Sequence, residues 1–270
     1  MISEVMAPMT AGCEGPSMFG DELKRWRMLR RMSQEDLGGA AEVSPRHLSC
    51  LERGIALPSK KMVLRLAAAL ELPLRERNGL LGAAGYAQQW QDAGESVPLP
   101  LQPAVEALLS GQPFPAYALN GRYDVLDANA AGWAMLRLLQ AGAAPGMNLA
   151  KALFATGPHR EMIESYATSA QFLLTRLRTE AMQQGPNSPL WPIVAAAQQD
   201  PVIRTADAPH TDSGDPVFPL TINAMGVRTK WLTVLLTFGS PMDAMVEHLV
   251  IEQFLPADEA TREAAKALLF

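Results

Sequence analysis

The chain has 270 residues, 48% of them hydrophobic and 19% charged, with a formal net charge of −5. This composition fits a folded protein with room for two separate cores, and no run reaches the roughly 20 apolar residues that cross a bilayer. Two cysteines, Cys13 and Cys50, exclude a disulfide framework and a cysteine zinc site and fit a reducing cytoplasm.

Residues 1–18 carry Glu4 and Glu14 without a basic start, and Pro8, Gly12, Gly15 and Pro16 interrupt them. A disordered leader is expected there rather than a signal peptide. Between Phe19 and Tyr86 the chain holds 12 Lys/Arg against 8 Asp/Glu, a net of +4, whereas 87–270 hold 11 against 18, a net of −7. A small basic head joined to a larger acidic body is the arrangement of a nucleic-acid reader tied to a sensor.

The head reads as five helices. Phe19, Leu23, Trp26 and Leu29 share one face of helix 1, with Lys24, Arg25, Arg27, Arg30 and Arg31 around the rest. Ser33 followed by Gln34-Glu35-Asp36 is a capped start for helix 2, which runs to about Ala41 and contains Gly38 and Gly39. Ser44 caps helix 3, Pro45 takes its first position and Gly54 follows its last turn. Leu48 and Leu51 face inward while Arg46, His47, Ser49 and Cys50 face outward, so the helix offers a short polar face to a DNA major groove. Ser59 caps helix 4 and Pro73 opens helix 5.

Arg30-Arg31-Met32-Ser33-Gln34-Glu35-Asp36-Leu37, Val43-Ser44, Leu51-Glu52-Arg53-Gly54, Pro58-Ser59 and Leu66-Ala67-Ala68-Ala69-Leu70 together resemble the phage-repressor-type (XRE) helix-turn-helix over about 65 residues. The resemblance implies a phosphate contact at Gln34 and a base-reading set of Ser44, Pro45, Arg46, His47, Ser49 and Cys50, with Arg53 and Lys60 near the backbone. Arg27 and Ser33 belong to the same expected DNA-binding set. Arg46 can offer two donors to guanine N7 and O6, and Pro45 only an apolar contact. His47 and Cys50 serve equally well as solvated or packing residues.

After a connector over 87–102, residues 103–111 read as a short helix. Pro115–Leu119 and Tyr123–Leu126 alternate around Asn120-Gly121, a hairpin signal. Asp127–Gln140 and 159–184 read as helices, and 217–225, 230–238 and 247–255 as strands. This order predicts an α+β body with a five-stranded antiparallel sheet and helices across one face, PAS-like in plan, able to enclose a pocket between its layers.

The closing Leu80-Leu81 and Ala84-Gly85-Tyr86 of the head, the Pro115–Asn129 hairpin, Thr237-Phe238-Gly239-Ser240-Pro241 and Ile251-Glu252-Gln253-Phe254-Leu255-Pro256-Ala257-Asp258 resemble the MmyB-like transcription regulators. The resemblance covers nearly everything after residue 18 and implies a bacterial one-component regulator, its body (103–270) taking a fatty-acid-like or other apolar small molecule. Double-stranded DNA, that ligand and a second copy of the chain are the expected partners, with no membrane and no cofactor.

Expected pocket residues are Trp133, Met135, Leu136, Phe154, Tyr166, Phe172 and Leu173 on the helices and Trp231 and Phe238 on the strands. Arg176 or Arg178 would meet a ligand carboxylate. His47, His159, His210 and His248 show no metal-binding or hydrolytic spacing, and no phosphate-loop or nucleophile-elbow pattern occurs. Asp207, Asp212 and Asp215 lack the following glutamate of a calcium loop and read as a solvated loop. The competing reading is a small-molecule enzyme or carrier whose head is a protein-interaction module.

Overall fold

The computed structural model describes residues 18–90, 94, 96–206, 220–238 and 244–269. Residues 1–17 of the expected leader, the Asp207–Asp215 loop and residues 217–219 of the expected third strand lie outside the described residues, and Met18, the last residue of that leader, opens the first helix. The chain divides between Gln89 and Trp90 into two compact units.

The head is the expected five-helix unit: α1 (Met18–Leu29), α2 (Gln34–Ala40), α3 (Pro45–Glu52), α4 (Lys60–Ala69) and α5 (Leu74–Ala83). Ser33, Ser44 and Ser59 accept hydrogen bonds from the backbone of Asp36, His47 and Met62, satisfying donors that the first turns of α2, α3 and α4 leave open. All five helices close in one way. Arg31 (φ 55), Glu42 (φ 52), Gly54 (φ 70), Glu71 (φ 50) and Gly85 (φ 80) take left-handed conformations. The next residue in each case bonds back five positions, as in Val43 N–H to Gly38 O at 2.8 Å and Met32 N–H to Arg27 O at 3.0 Å. Trp26, Leu37, Leu48, Leu51 and Leu66 are wholly buried inside the bundle.

The two glycines of α2 differ. A Cβ on Gly38 would sit 2.6 Å from Val43 O, whereas one on Gly39 would meet nothing within 4 Å. Gly38 therefore permits the tight turn into α3, and Gly39 does not.

The body begins with a short 3-10 turn at Leu99–Leu101 and α6 (Gln102–Ser110). β1 (Ala116–Leu119) and β2 (Val125–Ala128) form the hairpin, followed by α7 (Ala130–Leu139), α8 (Leu149–Phe154), α9 (His159–Met162), α10 (Tyr166–Gln184), α11 (Trp191–Gln199) and α12 (Pro201–Arg204). Then come β3 (Leu220–Ala224), β4 (Val227–Thr237), α13 (Ala244–Glu247), β5 (Val250–Pro256) and α14 (Glu259–Leu269). The five strands form one antiparallel sheet in the order β2-β1-β5-β4-β3.

Several expectations shift, among them the strand expected over 230–238, which runs over Val227–Thr237. The hairpin does not turn on Asn120-Gly121 alone: the side chain of Asn120 accepts from the backbone of Arg122 and Asp124, and Tyr123 takes the left-handed position at φ 68. Asp127 is a strand residue, and its expected helix starts only after Asn129. The long helix over 159–184 is broken by Ser165 at φ 53, leaving α9 and α10. In the late region, 247–249 precede β5, which runs one residue further than expected.

Asn129 ties several of these pieces together. Its Oδ1 accepts from Gly132 N–H at the start of α7 and from Ala116 N–H in β1, at 2.8 and 3.1 Å. Its Nδ2 donates to the carbonyls of Leu109, Gln112 and Phe114 at 2.8–3.2 Å. Gly132 lets α7 lie directly on β1, since a Cβ there would come within 2.8 Å of Ala116 O. The main core lies on this face of the sheet and includes Tyr117, Ile222, Trp231 and Phe254. A smaller cluster with Ala116, Ala118, Leu249 and Ile251 covers the other.

Candidate nucleic-acid interface and ligand cavity

In the head, the start of α3 exposes its cap Ser44 and Pro45 and Arg46 to solvent, with His47, Ser49 and Cys50 half-buried beside them. The Ser44 cap and Pro45 fix the first turn, so Arg46 stands on a pre-formed helix start. Among the described residues Arg46 pairs with no carboxylate. Arg53 donates to Ser49 O at 3.2 Å and lies 3.9 Å from Cys50 Sγ. Lys60 is exposed at the first position of α4.

Three other residues of the expected DNA-binding set are engaged within the head. Arg27 donates to Glu52 from Nε and Nη2, at 2.7 and 3.0 Å, and from Nη1 to Met32 O at 2.8 Å. Gln34 adds its amide to the same Glu52 carboxylate at 2.8 Å. Arg27 is only 12% exposed in its side chain and Glu52 only 4%, so this is an interior clamp joining α1, α2 and α3. Burial works to raise the Glu52 carboxyl, but the hydrogen bonds from Arg27 and Gln34 outweigh it and hold the group below its ordinary range. Ser33 is spent in a reciprocal capping box with Asp36. At the start of α2, backbone amides rather than the Gln34 side chain are the groups free of the clamp, and an amide-rich helix start suits a phosphate oxygen.

In the body, a cavity of about 310 Å³ lies between the sheet and α7, α8 and α10. Met135, Leu136 and Leu139 of α7, Leu149 and Leu153 of α8, and Ser169, Phe172, Leu173 and Arg176 of α10 form one wall. Tyr117, Leu220, Thr233, Leu235, Glu252 and Phe254 form the sheet wall, with Tyr123 and Ile163 at the sides. Of the expected pocket set, Met135, Leu136, Phe172, Leu173 and Arg176 line it.

The other expected residues do not. Tyr166 turns its hydroxyl to Leu153 O at 2.9 Å, with Arg160 stacked 4.9 Å over its ring. Phe154 lies on a separate groove between α8 and α11, and Trp133 packs at the edge of the core. Trp231 is buried, its indole N–H bonded to Thr229 at 2.9 Å and its ring set edge-on to Phe114. Phe238 packs with the cluster on the opposite sheet face. An odd spacing of seven separates Trp231 from Phe238, so one strand could not aim both at the same layer. Arg178 is exposed, two positions round the helix from Arg176.

Glu252 was missing from the expected set because a carboxylate on an otherwise apolar strand gives no pocket signal. The register was the available clue: Tyr117 pairs with Glu252, and Leu235 pairs with Glu252 from the other side. All three therefore share a face. Arg176 meets Glu252 with both terminal nitrogens at 3.2 Å, donates its Nε–H to the Tyr123 hydroxyl at 2.8 Å, and comes within 3.3 Å of Glu180. The Tyr123 hydroxyl lies 2.9 Å from both Glu180 oxygens. The guanidinium expected to await a ligand carboxylate is thus already matched.

Burial pushes the Glu180 carboxyl up, and Arg176 and Tyr123 only partly offset it. It pushes the Tyr123 hydroxyl up as well. For Arg176, burial favours the neutral form, but Glu252 outweighs it and keeps the guanidinium charged. Tyr123 reaches this cluster from a left-handed backbone position that a non-glycine residue takes at some cost, a form of strain common in binding sites.

Residues 18–80 match the helix-turn-helix domain family, and residues 101–268 match the MmyB-like transcription regulator ligand binding domain. No curated protein matches the chain. Among solved structures, the restriction-modification controller protein C.AhdI from Aeromonas hydrophila is similar at 31% identity over 23% of this chain and 92% of its own, with a TM-score of 0.22. With its second domain matched over most of the chain's length, the chain belongs to the MmyB-like transcription regulators, a DNA-binding helix-turn-helix joined to a ligand-binding domain.

Proposed function

We propose that the chain is a one-component bacterial regulator of the cytoplasm that binds promoter DNA as a homodimer through α3 and changes that binding when a small apolar molecule enters the body. The observation that carries this reading is the largely apolar cavity of about 310 Å³, inside the domain whose family match is to a ligand-binding unit. Its volume sits at the lower end of the roughly 300–1,000 Å³ range of small-molecule sites. An unbranched, fatty-acid-like chain suits such a wall in its apolar part.

One head covers a short half-site, so useful specificity calls for two heads about one turn of DNA apart. Arg46 is the residue expected to read a guanine, and Lys60 and Arg53 to meet phosphates. The test is binding to the DNA upstream of the chain's own gene across a salt series, with and without lipid extract. The expected result is salt-sensitive, sequence-selective binding that the extract shifts. Absent or salt-insensitive binding would overturn the DNA reading, and indifference to the extract the sensing one.

A further inference from the structure

The polar end of the cavity carries more negative than positive charge. Two carboxylates, Glu252 and Glu180, surround one guanidinium, Arg176, with the Tyr123 hydroxyl between them. Arg176 and Glu252 are the two charged residues among the described ones that line the cavity, and they already satisfy each other. Glu180 is the surplus. A ligand carboxylate placed against Arg176 would meet the Glu252 carboxylate in the cavity wall and the field of Glu180 behind the guanidinium, in an apolar surround where like charges repel strongly. To take the two N–H groups that Glu252 holds, it would have to displace that side chain, leaving a carboxylate that is 4% exposed without its partner.

An uncharged acceptor meets no such obstacle. Arg176 has five N–H groups, and its bonds to Tyr123 and Glu252 account for three of them. The terminal nitrogens each keep one N–H that a carbonyl or hydroxyl oxygen can accept. Ser169, on the same helix and in the same wall, is buried with its hydroxyl unpartnered, and it adds an uncharged donor.

We infer that this cavity selects an apolar molecule with an uncharged, hydrogen-bond-accepting head, such as an alcohol, ester, lactone or amide, over a free carboxylic acid. The inference rests on the reading of the cavity as a ligand site. The experiment is calorimetric titration of the full chain at neutral pH with 1-decanol, N-methyldecanamide and decanoate, each below its aggregation threshold.

The neutral probes are expected to bind at least roughly tenfold more tightly than decanoate. Glu180→Gln, which removes the surplus charge while keeping the shape, is expected to narrow that gap by strengthening decanoate binding. Decanoate binding as tightly as the neutral probes would overturn the head-group inference and leave the apolar ligand site standing. Binding by none of the three would overturn the ligand site itself. A preference unchanged in Glu180→Gln would overturn its electrostatic cause.

Discussion

Each unit of this protein holds an arginine–glutamate clamp, and the two are put to different uses. In the head, Arg27, Gln34 and Glu52 close on one another, and Met32 O takes a further guanidinium N–H. In the body, Arg176 and Glu252 face a cavity, with Tyr123 and Glu180 behind them. Similar chemistry locks three helices in one place and lines a recess in the other. The difference lies in what stands on the open side, packed side chains in the first case and a cavity in the second.

The largest expected effect separates the two clamps by their cost. Glu52→Ala orphans Arg27 in a packed interior and should cost about 3 kcal/mol or more. Glu252→Ala leaves Arg176 with Glu180 and the Tyr123 hydroxyl, beside a cavity that can admit water, and should cost less, about 1–2 kcal/mol. Urea unfolding of the full chain, followed by probes in each unit, measures both. Equal costs would mean that the body's clamp is as closed as the head's.

Next in size, Arg46→Ala should remove roughly 1–3 kcal/mol of discrimination between promoter and scrambled DNA while leaving weak general binding. Competition anisotropy reads this directly, and loss of both kinds of binding would point instead to a disturbed fold.

The clamps should also respond oppositely to pH. The Glu52 carboxyl is held below its ordinary range, so its contribution is present above that range and lost as pH falls through the folded value. The Glu180 carboxyl is raised, chiefly by burial, so its contribution is present below the ordinary range and lost as pH rises through the folded value. Melting curves against pH should lose the acid-side decline in Glu52→Gln and the decline on the other side in Glu180→Gln.

The smallest pair concerns neighbouring glycines. Gly38→Ala, which forces a Cβ to within 2.6 Å of Val43 O, should destabilise the head by about 1–3 kcal/mol. Gly39→Ala meets nothing and should stabilise it by about 0.5–1 kcal/mol. Thermal melts of the two variants should move in opposite directions.

The head was the more legible unit because its signals are local. Ser33, Ser44 and Ser59 mark helix starts within a single turn of chain, and all three cap as expected. Its helix ends were less so: Arg31, Glu42 and Glu71 adopt a conformation usually signalled by glycine. Arg27 and Gln34 look like surface groups in a basic run, and only the fold shows Glu52, 25 and 18 positions away, between them.

The body's cavity depends on pairing across long stretches of sequence. Met135, Leu136, Phe172 and Leu173 could be found by helical spacing, but Tyr117, Thr233 and Glu252 come together only through sheet register. Aromatic size misled at Tyr166, Phe154 and Trp133, because a large side chain predicts burial better than it predicts a void beside it.

Asn129 gives the body a mechanical property. One planar amide is at once the first bond of α7, a bond to β1, and the anchor of the chain that leaves α6. The helix it starts supplies Met135, Leu136 and Leu139 to the cavity wall, and the helix it holds is the first after the join between the units. Like a rivet through overlapping plates, it obliges any tilt of α7 to be shared by α6 or to break a bond. A molecule that wedges the cavity wider therefore strains, through one side chain, the end of α6 and the chain that leaves it.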